Sequence, residues 1–288
     1  MKVHCIVPSQ SCYYDFMVCR LAALHRILRE RDLLNNSGNV IIWSEDGDFV
    51  GWLELFSHNP IRTLSHLAAP PENALCAIDP NPELYEDFIE QYKLAEHLLQ
   101  ITNAKSDVLG VTLIRRSGTR KYSHHAELLE RLRLEGLNVR EACMESLSPA
   151  QQIELMRSTH ILIGPHGSGH ANGMFMPAGG LLFELFPKGF YTDTYRKMAG
   201  VFDQSWDMIE SEAAPSGTKP IPKRLADFLC GREWPVHSEV KELMRVDIDV
   251  LRCVRDVGTI SLAPEIIVRH LKEHWKSHWN ACRHTSES

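Results

Sequence analysis

Short apolar runs alternate along the chain with longer stretches in which apolar residues recur every three or four positions. The short runs predict buried strands, and the longer stretches predict helices with one face on a core. In the first part of the chain this pattern predicts strands at 2–8, 40–44 and 74–79 and helices at 13–34 and 81–100. Strands that alternate with helices are typical of parallel sheets covered by helices, so the predicted fold class is α/β.

The alternation becomes more regular after a polar stretch at 101–107, which is the predicted hinge. The predicted elements beyond it are strands at 108–116, 137–143, 160–164 and 181–187 and helices at 125–136, 146–159 and 263–284. The helix at 146–159 has a well-defined start, because Ser148, Pro149 and Gln151 form a capping box with proline at the first helical position. Two Rossmann-like halves are therefore expected.

Composition and charge narrow the class of protein. The chain has 44% hydrophobic and 24% charged residues, which are ordinary globular values and exclude a fibrous or disordered protein. Its net charge of -6 argues against a general affinity for nucleic acid or anionic membranes. The N-terminus lacks the apolar segment of a signal peptide, no run is long enough to span a bilayer, and the 8 cysteines form no C-x-x-C pair. The expected location is therefore the cytoplasm.

A glycine-rich loop interrupts the stretch 161–187 directly after a predicted buried strand. Gly167, Ser168 and Gly169 leave the backbone accessible there, and the N–H groups that open the next helix attract anions. Ligands of open parallel sheets bind at such carboxyl ends of strands. The alternative is a purely structural bend.

Charged residues of both signs surround this loop in the predicted sheet. The cations at the end of the neighbouring strand are Arg115, Arg116, Arg120 and Lys121. One strand later comes an acid, Glu184. Cations for phosphates, backbone N–H groups for their oxygens and a carboxylate for ribose hydroxyls would suit a nucleoside diphosphate. The alternative for the cations is a solvated basic turn.

Two segments carry a family resemblance: LIRRSGTRKY at 113–122 and LSPAQQIELMRSTHILIGPHGSGHANGMFMPAGGLLFELFP at 147–187. They resemble the catalytic region of the family-61 glycosyltransferases, which is marked by an R-x-x-x-R strand end, H-G-A-G-L-T-N, a proline and E-L-F-P. That family includes plant β-xylosyltransferases, arabinosyltransferases and protein-linked N-acetylglucosaminyltransferases. The strong match spans 108–187, and a weak one continues to 200.

The resemblance implies a GT-B architecture, in which two Rossmann-like halves face a cleft and sugar transfer inverts the anomeric carbon. It also implies roles for individual residues. Arg116 and Arg120 would bind the diphosphate of the nucleotide sugar, and His166 to Gly169 would line it. Asn172 would support the loop, and Glu184 would hold the ribose.

The sequence departs from the family pattern at two places. His170 and Ala171 stand where the family has Leu-Thr, and no Asn follows the second arginine. With the resemblance, the domain prediction becomes an N-terminal acceptor domain at 1–103, a nucleotide-sugar-binding domain at 104–262 and a C-terminal helix at 263–288 that packs back on the N-terminal domain.

Transfer also needs a base that deprotonates the acceptor hydroxyl, and for in-line inversion it is expected from the N-terminal half. Asp15 follows the first predicted strand and opens a helix, and Asp79 ends a predicted strand. Each is a candidate catalytic residue. The alternative for each is a helix-capping carboxylate.

Three other chemistries compete with this interpretation. Asp46-Gly47-Asp48 resembles the D-x-D metal site of GT-A enzymes but also suits a turn; because the arginines already supply positive charge, no metal is expected. His166 and His170 have zinc-ligand spacing without the Glu of H-E-x-x-H. The third alternative is a non-catalytic, degenerate module that binds sugar nucleotides or a partner. His270, His274 and His278 on the last helix favour a polar face over a metal site, and Trp206 and Trp234 favour packing over stacking on a sugar or uracil.

The sequence analysis thus predicts an inverting glycosyltransferase with a UDP-sugar donor and a glycan or glycoprotein acceptor. Xylose is the first choice of sugar and N-acetylglucosamine the second, on the resemblance alone.

Overall fold

The structure is a computed structural model of the 288-residue chain. It describes residues 3–7, 13, 16–34, 40–44, 49–57, 59–63, 73–76, 88–103, 109–211 and 259–283. The chain divides into two compact units, Met1–Lys105 with Leu147–Arg157, and Ser106–Ser146 with Ser158–Ser288. Each unit contains one parallel sheet accompanied by helices, so the predicted α/β fold class is confirmed.

The described elements follow one another in chain order with short connections. The strands are β1 Val3–Val7, β2 Val40–Ser44, β3 Ile61–Thr63, β4 Leu75–Cys76, β5 Gly110–Ile114, β6 Val139–Ala142, β7 Thr159–Pro165, β8 Leu181–Phe186 and β9 Ser205–Glu210. The helices are α1 Ala22–Glu30, α2 Val50–Phe56, α3 Phe88–Thr102, α4 His125–Leu134, α5 Pro149–Arg157, α6 Thr194–Val201, α7 Pro264–His274 and α8 Lys276–Ala281. A π-helical turn, Phe16–Leu21, precedes α1, and a 3₁₀ helix, Ser168–Phe175, follows β7.

The sheet of the first unit has the strand order β3-β2-β1-β4, and all its neighbouring pairs are parallel. Every residue of β2 is buried, as expected for an inner strand of a parallel sheet. The bounds of β2 are those predicted, and β1 is one residue shorter at each end. The pattern does not predict β3, because Ile61-Arg62-Thr63 contains a single apolar residue.

Helix α5 lies between two strands of the second unit in the sequence, yet it belongs to the first unit and packs against α2 and α3. The predicted boundaries leave it in the C-terminal domain. Its start has the predicted capping box: the Ser148 N–H donates to Gln151 Oε1 at 2.9 Å, and the Gln151 N–H donates to Ser148 Oγ at 3.4 Å. Ile153 and Met156 are buried on its apolar side. The helix start follows from local sequence, whereas the packing partner does not.

The sheet of the second unit is parallel throughout and has the order β6-β5-β7-β8-β9. Alternate residues of its strands face opposite sides. One side forms the main core with α4 and α7, which contains Val111, Leu113, Ile161, Ile163, Leu181, Phe183, Leu185, Leu128, Leu132, Ile267, Val268 and Leu271. The other side is covered in part by the 3₁₀ helix and α6.

The C-terminal helix α7 was predicted to pack back on the N-terminal domain, whereas the structure places its apolar residues in this core of the second unit. Polar contacts fix it there as well: His270 Nε2 lies 2.7 Å from Asp207 Oδ2, and the Trp275 indole N–H donates to the same oxygen at 2.6 Å. His278 stacks on His160. Among the described residues, no three His, Cys, Asp or Glu side chains are grouped closely enough to hold a metal ion.

No helix in the described part of the chain is both long and apolar enough to cross a membrane.

Candidate active site

The second unit has a topological switch point at the carboxyl ends of β5 and β7. The chain leaves β5 for β6 on one side and leaves β7 for β8 on the other, so the two following loops diverge from a shared crevice. Ligands of open α/β sheets bind in such crevices. At Gly164, an added Cβ would lie 2.7 Å from the Cβ of Ile114. Glycine therefore allows the strand ends to approach closely here.

The loop after β5, residues 115–121, is called the arginine loop. Arg116 Nε donates to the Thr119 carbonyl at 3.1 Å, which holds the guanidinium over its own loop. Arg120 has a φ of 59°, in the left-handed region that non-glycine residues rarely adopt. Its Nη1 donates to the carbonyl of His166 at 2.9 Å and so connects the two loops at the switch point.

The guanidinium of Arg116 lies directly against Gly167. A Cβ at that position would stand 1.8 Å from Arg116 Nη1 and 2.9 Å from Cζ. The glycine is thus required by a close approach of a cation to the backbone, which gives it a specific physical role. Two guanidinium groups and an exposed stretch of main chain meet at this point.

The 3₁₀ helix begins at the same place with Ser168 and Gly169, which are half-exposed, whereas its remaining residues are buried. The first N–H groups of a helix have no acceptor within the helix and attract anions. Asn172 Nδ2 donates to the Gly169 carbonyl at 3.3 Å, the kind of contact that a loop-supporting role requires. The site therefore combines fixed positive charge with N–H donors, which together can bind a diphosphate.

Beneath this loop lies a buried network of His166, Glu184 and Trp206. His166 Nδ1 is 2.6 Å from Glu184 Oε2, and the Trp206 indole N–H donates to Glu184 Oε1 at 2.7 Å. Glu184 has no exposed surface. Burial raises the pKa of its carboxyl to about 7, against the opposing effects of His170 and the Trp206 hydrogen bond. Both oxygens are engaged inside the protein, so this geometry does not present Glu184 to a ribose.

His170 is fully buried and packs its ring at 5.5 Å from that of Tyr195. Burial lowers the pKa of His170 to about 4, so the ring is neutral at neutral pH. His166 instead stacks on Phe186 at 4.9 Å. The two histidines thus occupy different environments, as packed rings within a 3₁₀ turn rather than on one face of an α-helix.

A family model, Glycosyltransferase 61, matches residues 12–182, which is more than half of the chain. This chain belongs to glycosyltransferase family 61. The matched region includes the arginine loop and the loop from His166 to Asn172, and it ends two residues before Glu184. The chain is therefore a transferase that uses a sugar donor and an acceptor.

Structural comparison of this family-61 chain finds two solved structures of TibC. One is the bacterial iron-containing dodecameric glycosyltransferase TibC from enterotoxigenic E. coli H10407, with 10% sequence identity and a TM-score of 0.42. The other is the dodecameric iron-containing heptosyltransferase TibC in complex with ADP-D-beta-D-heptose, with 9% identity and a TM-score of 0.43. Each alignment covers 88% of this chain and 76% of the other. None of the curated protein sequences matches the chain.

Two of the four cations predicted for the site of this family-61 transferase point elsewhere. Arg115 is 61% exposed and forms an ion pair with Glu141 at 2.7 Å. Lys121 is exposed, and its carbonyl accepts a hydrogen bond from the Ile260 N–H at 2.8 Å. The structure thus brings Arg116 and Arg120 to the glycine loop and leaves Arg115 and Lys121 on the surface around it.

The sequence does not predict the role of Trp206 in this family-61 site. Its indole N–H is used by Glu184, a contact that depends on β9 lying beside β8. The only local signal was the alternation of Trp206, Asp207 and Met208, which is typical of a strand. The remaining candidates Asp15, Asp79, Asp46-Gly47-Asp48 and Trp234 lie outside the described residues.

Proposed function

We propose that this family-61 transferase moves a sugar from a UDP-linked donor to a hydroxyl group of a glycan or glycoprotein, with inversion at the anomeric carbon. The observation that carries the proposal is the meeting of Arg116, Arg120 and the Gly167 backbone at the β5/β7 switch point. A diphosphate has the charge, size and oxygen acceptors that such a site requires. It is also the leaving group of a nucleotide sugar.

The proposal includes transfer without a metal ion. As the sugar leaves, negative charge develops on the diphosphate, and the transition state is stabilised by positive groups that are already in place. Arg116 and Arg120 are such groups, since their guanidinium groups stay protonated at any physiological pH. They would supply the charge that a divalent cation supplies in D-x-D enzymes.

Uridine as the base and xylose as the first choice of sugar rest on membership of the family, with N-acetylglucosamine as the second choice. The two departures at His170 and Ala171 lie in the loop nearest the diphosphate, and His170 is directed into the protein. Its buried position argues that this departure alters loop packing rather than a sugar contact.

The proposal is tested by the thermal stability of the protein with UDP, GDP, ADP, UDP-xylose and UDP-N-acetylglucosamine, each with EDTA and each with manganese. A ligand that binds only the native state raises the free energy of unfolding by about 2.7 kcal/mol at a concentration of 100 Kd. We expect UDP and one UDP-sugar to raise the melting temperature equally under both conditions. Stabilisation by GDP or ADP alone, or only with manganese, would contradict the donor or the metal independence.

The catalytic base is tested with Asp15→Asn and Asp79→Asn. We expect one of these variants to lose transfer by on the order of 100-fold, because general-base catalysis contributes at least that much. Its affinity for UDP should stay that of the wild type, since neither residue belongs to the diphosphate site. Full transfer by both variants would remove the assignment. Slow release of UDP without acceptor would distinguish a transferase from a module that only binds nucleotides.

A further inference from the structure

The contact between His166 and Glu184 restricts what the imidazole can do at the diphosphate site. The nitrogen that faces Glu184 is Nδ1, at 2.6 Å. Any hydrogen bond from this ring to a phosphate oxygen therefore has to come from Nε2. A phosphate oxygen only accepts hydrogen bonds, so Nε2 must carry a proton when it makes this contact.

Counting protons shows when Nε2 is protonated. If the pair holds one proton, that proton sits on Nδ1 and is donated to the Glu184 carboxylate, so Nε2 is a bare lone pair that repels phosphate. If the pair holds two, it is either imidazolium with carboxylate or neutral imidazole with carboxylic acid. In both of these arrangements Nε2 carries a proton.

We propose that Glu184 is a positioning residue that keeps a proton on Nε2 of His166 when the donor diphosphate is bound, so that donor binding takes up one proton from solvent. The inference rests on the proposed function, because it requires a diphosphate at the switch point. It gives the fully buried carboxyl a role that a ribose contact cannot.

The groups that face the pair favour this behaviour. Arg116 and Arg120 stay charged and disfavour the second proton while the site is empty. A bound diphosphate cancels their charge and favours it. From the other side, His170 is neutral at neutral pH and Trp206 and the ring of Tyr195 carry no charge, so no other cation near the pair competes for the proton.

Burial supports the two-proton state of the pair. It raises the pKa of Glu184 to about 7, so proton uptake falls in the neutral range, where the protein can be studied in its native state. Above that range the empty site has lost the proton and donor binding has to restore it. The affinity for donor should therefore fall about tenfold for each pH unit on the alkaline side.

Trp206 makes Glu184→Gln a sharp test of the proposal. The indole only donates, so the amide oxygen of the glutamine must face Trp206 and its NH₂ must face His166 Nδ1. Nδ1 then accepts a hydrogen bond, and Nε2 carries the proton at every pH. The variant should bind donor with the affinity of the acidic wild type and without pH dependence. At pH 8.5 it should bind about tenfold more tightly than the wild type.

The experiment is calorimetry with the UDP-sugar that stabilises the wild type most, because both of its phosphates are diesters that do not titrate near neutrality. Titrations from pH 6 to 9, in two buffers with different ionisation enthalpies, give affinity and proton uptake. We expect wild-type uptake to approach one proton and uptake in Glu184→Gln to be near zero. The control is Glu127→Gln, which changes an exposed pair with His124 at 3.0 Å and should keep the wild-type profile.

The outcomes separate the inference from the proposed function. If no nucleotide sugar binds the wild type, the proposed function fails and the inference fails with it. If one binds without proton uptake, or if Glu184→Gln keeps the wild-type pH slope, only the inference is overturned. A merely structural Glu184 would give a variant that is less stable or binds more weakly at every pH, which also overturns it.

Discussion

Replacement of Gly167 by alanine should lower the affinity for UDP by about 100-fold and kcat/KM for sugar transfer by about 1000-fold. The added methyl group would occupy the position of the Arg116 guanidinium, since the Cβ would lie 1.8 Å from Nη1. The arginine has to move, because the backbone is held in place by the Arg120 hydrogen bond to His166. The cation is then displaced from the diphosphate site.

The matched control is Gly118→Ala in the same arginine loop. A Cβ at Gly118 meets no heavy atom within 4 Å, so the same change of residue should leave affinity and turnover unaltered. Melting temperatures of both variants establish that each is folded.

A double-mutant cycle tests the mechanism directly. If Gly167→Ala acts by displacing Arg116, the double variant with Arg116→Ala should be no worse than Arg116→Ala alone, because the second change removes a group that no longer contributes. Additive losses would show that the two residues act independently, and would contradict the assignment of the Arg116–Gly167 contact as the diphosphate site.

Sequence pattern predicts the parts of this protein that local physics determines. β2 is an unbroken apolar run, and it has the predicted bounds 40–44. The capping box at Ser148 and Gln151 forms because its donors and acceptors lie three residues apart. The glycine loop and the two arginines follow consecutive strands of a βαβ pattern, and a parallel sheet brings the carboxyl ends of its strands to one edge.

The parts that were not predicted depend on pairing between distant segments. The environment of Glu184 is set by the register that places it opposite Gly164 on β7 and Met208 on β9. Its sequence, within an E-L-F-P motif, does not contain that information. Arg115 and Arg116 are neighbours in sequence, but strand alternation sends the first toward Glu141 and the second toward Gly167. Similarly, the amphipathic helix α7 has an apolar face that would suit any core.

Acid should destabilise the native protein strongly between pH 6.5 and 4, through two buried histidines. His25 in the first unit is 2% exposed and packs beside His97 and Phe56. Burial, followed by the charge of His97, lowers the pKa of His25 to about 4 from a usual value of 6.5. Burial lowers the pKa of His170 in the second unit to about 4 as well.

The sign follows from proton binding in the two states. Below pH 6.5 each histidine binds a proton in the unfolded chain but not in the native one, so unfolding becomes more favourable as pH falls. The stabilisation is fully present above pH 6.5 and is lost by about pH 4, and it amounts to about 3 kcal/mol for each histidine. Together they represent a large fraction of the 5–15 kcal/mol that is typical of a folded domain, roughly speaking. Glu184 acts in the opposite direction, because its raised pKa adds stability that is present below its unfolded value and lost as pH rises through about 7.

The measurement is the free energy of unfolding from denaturant titrations between pH 4.5 and 7.5. We expect His25→Gln and His170→Gln each to reduce the slope of stability against pH below pH 6.5 by about 1.4 kcal/mol per pH unit, whatever their absolute stability. The same replacement at His124, whose side chain is 37% exposed, is the control and should keep the wild-type slope. An unchanged slope in either buried variant would mean that the histidine in question binds its proton equally well in both states, which its burial does not allow.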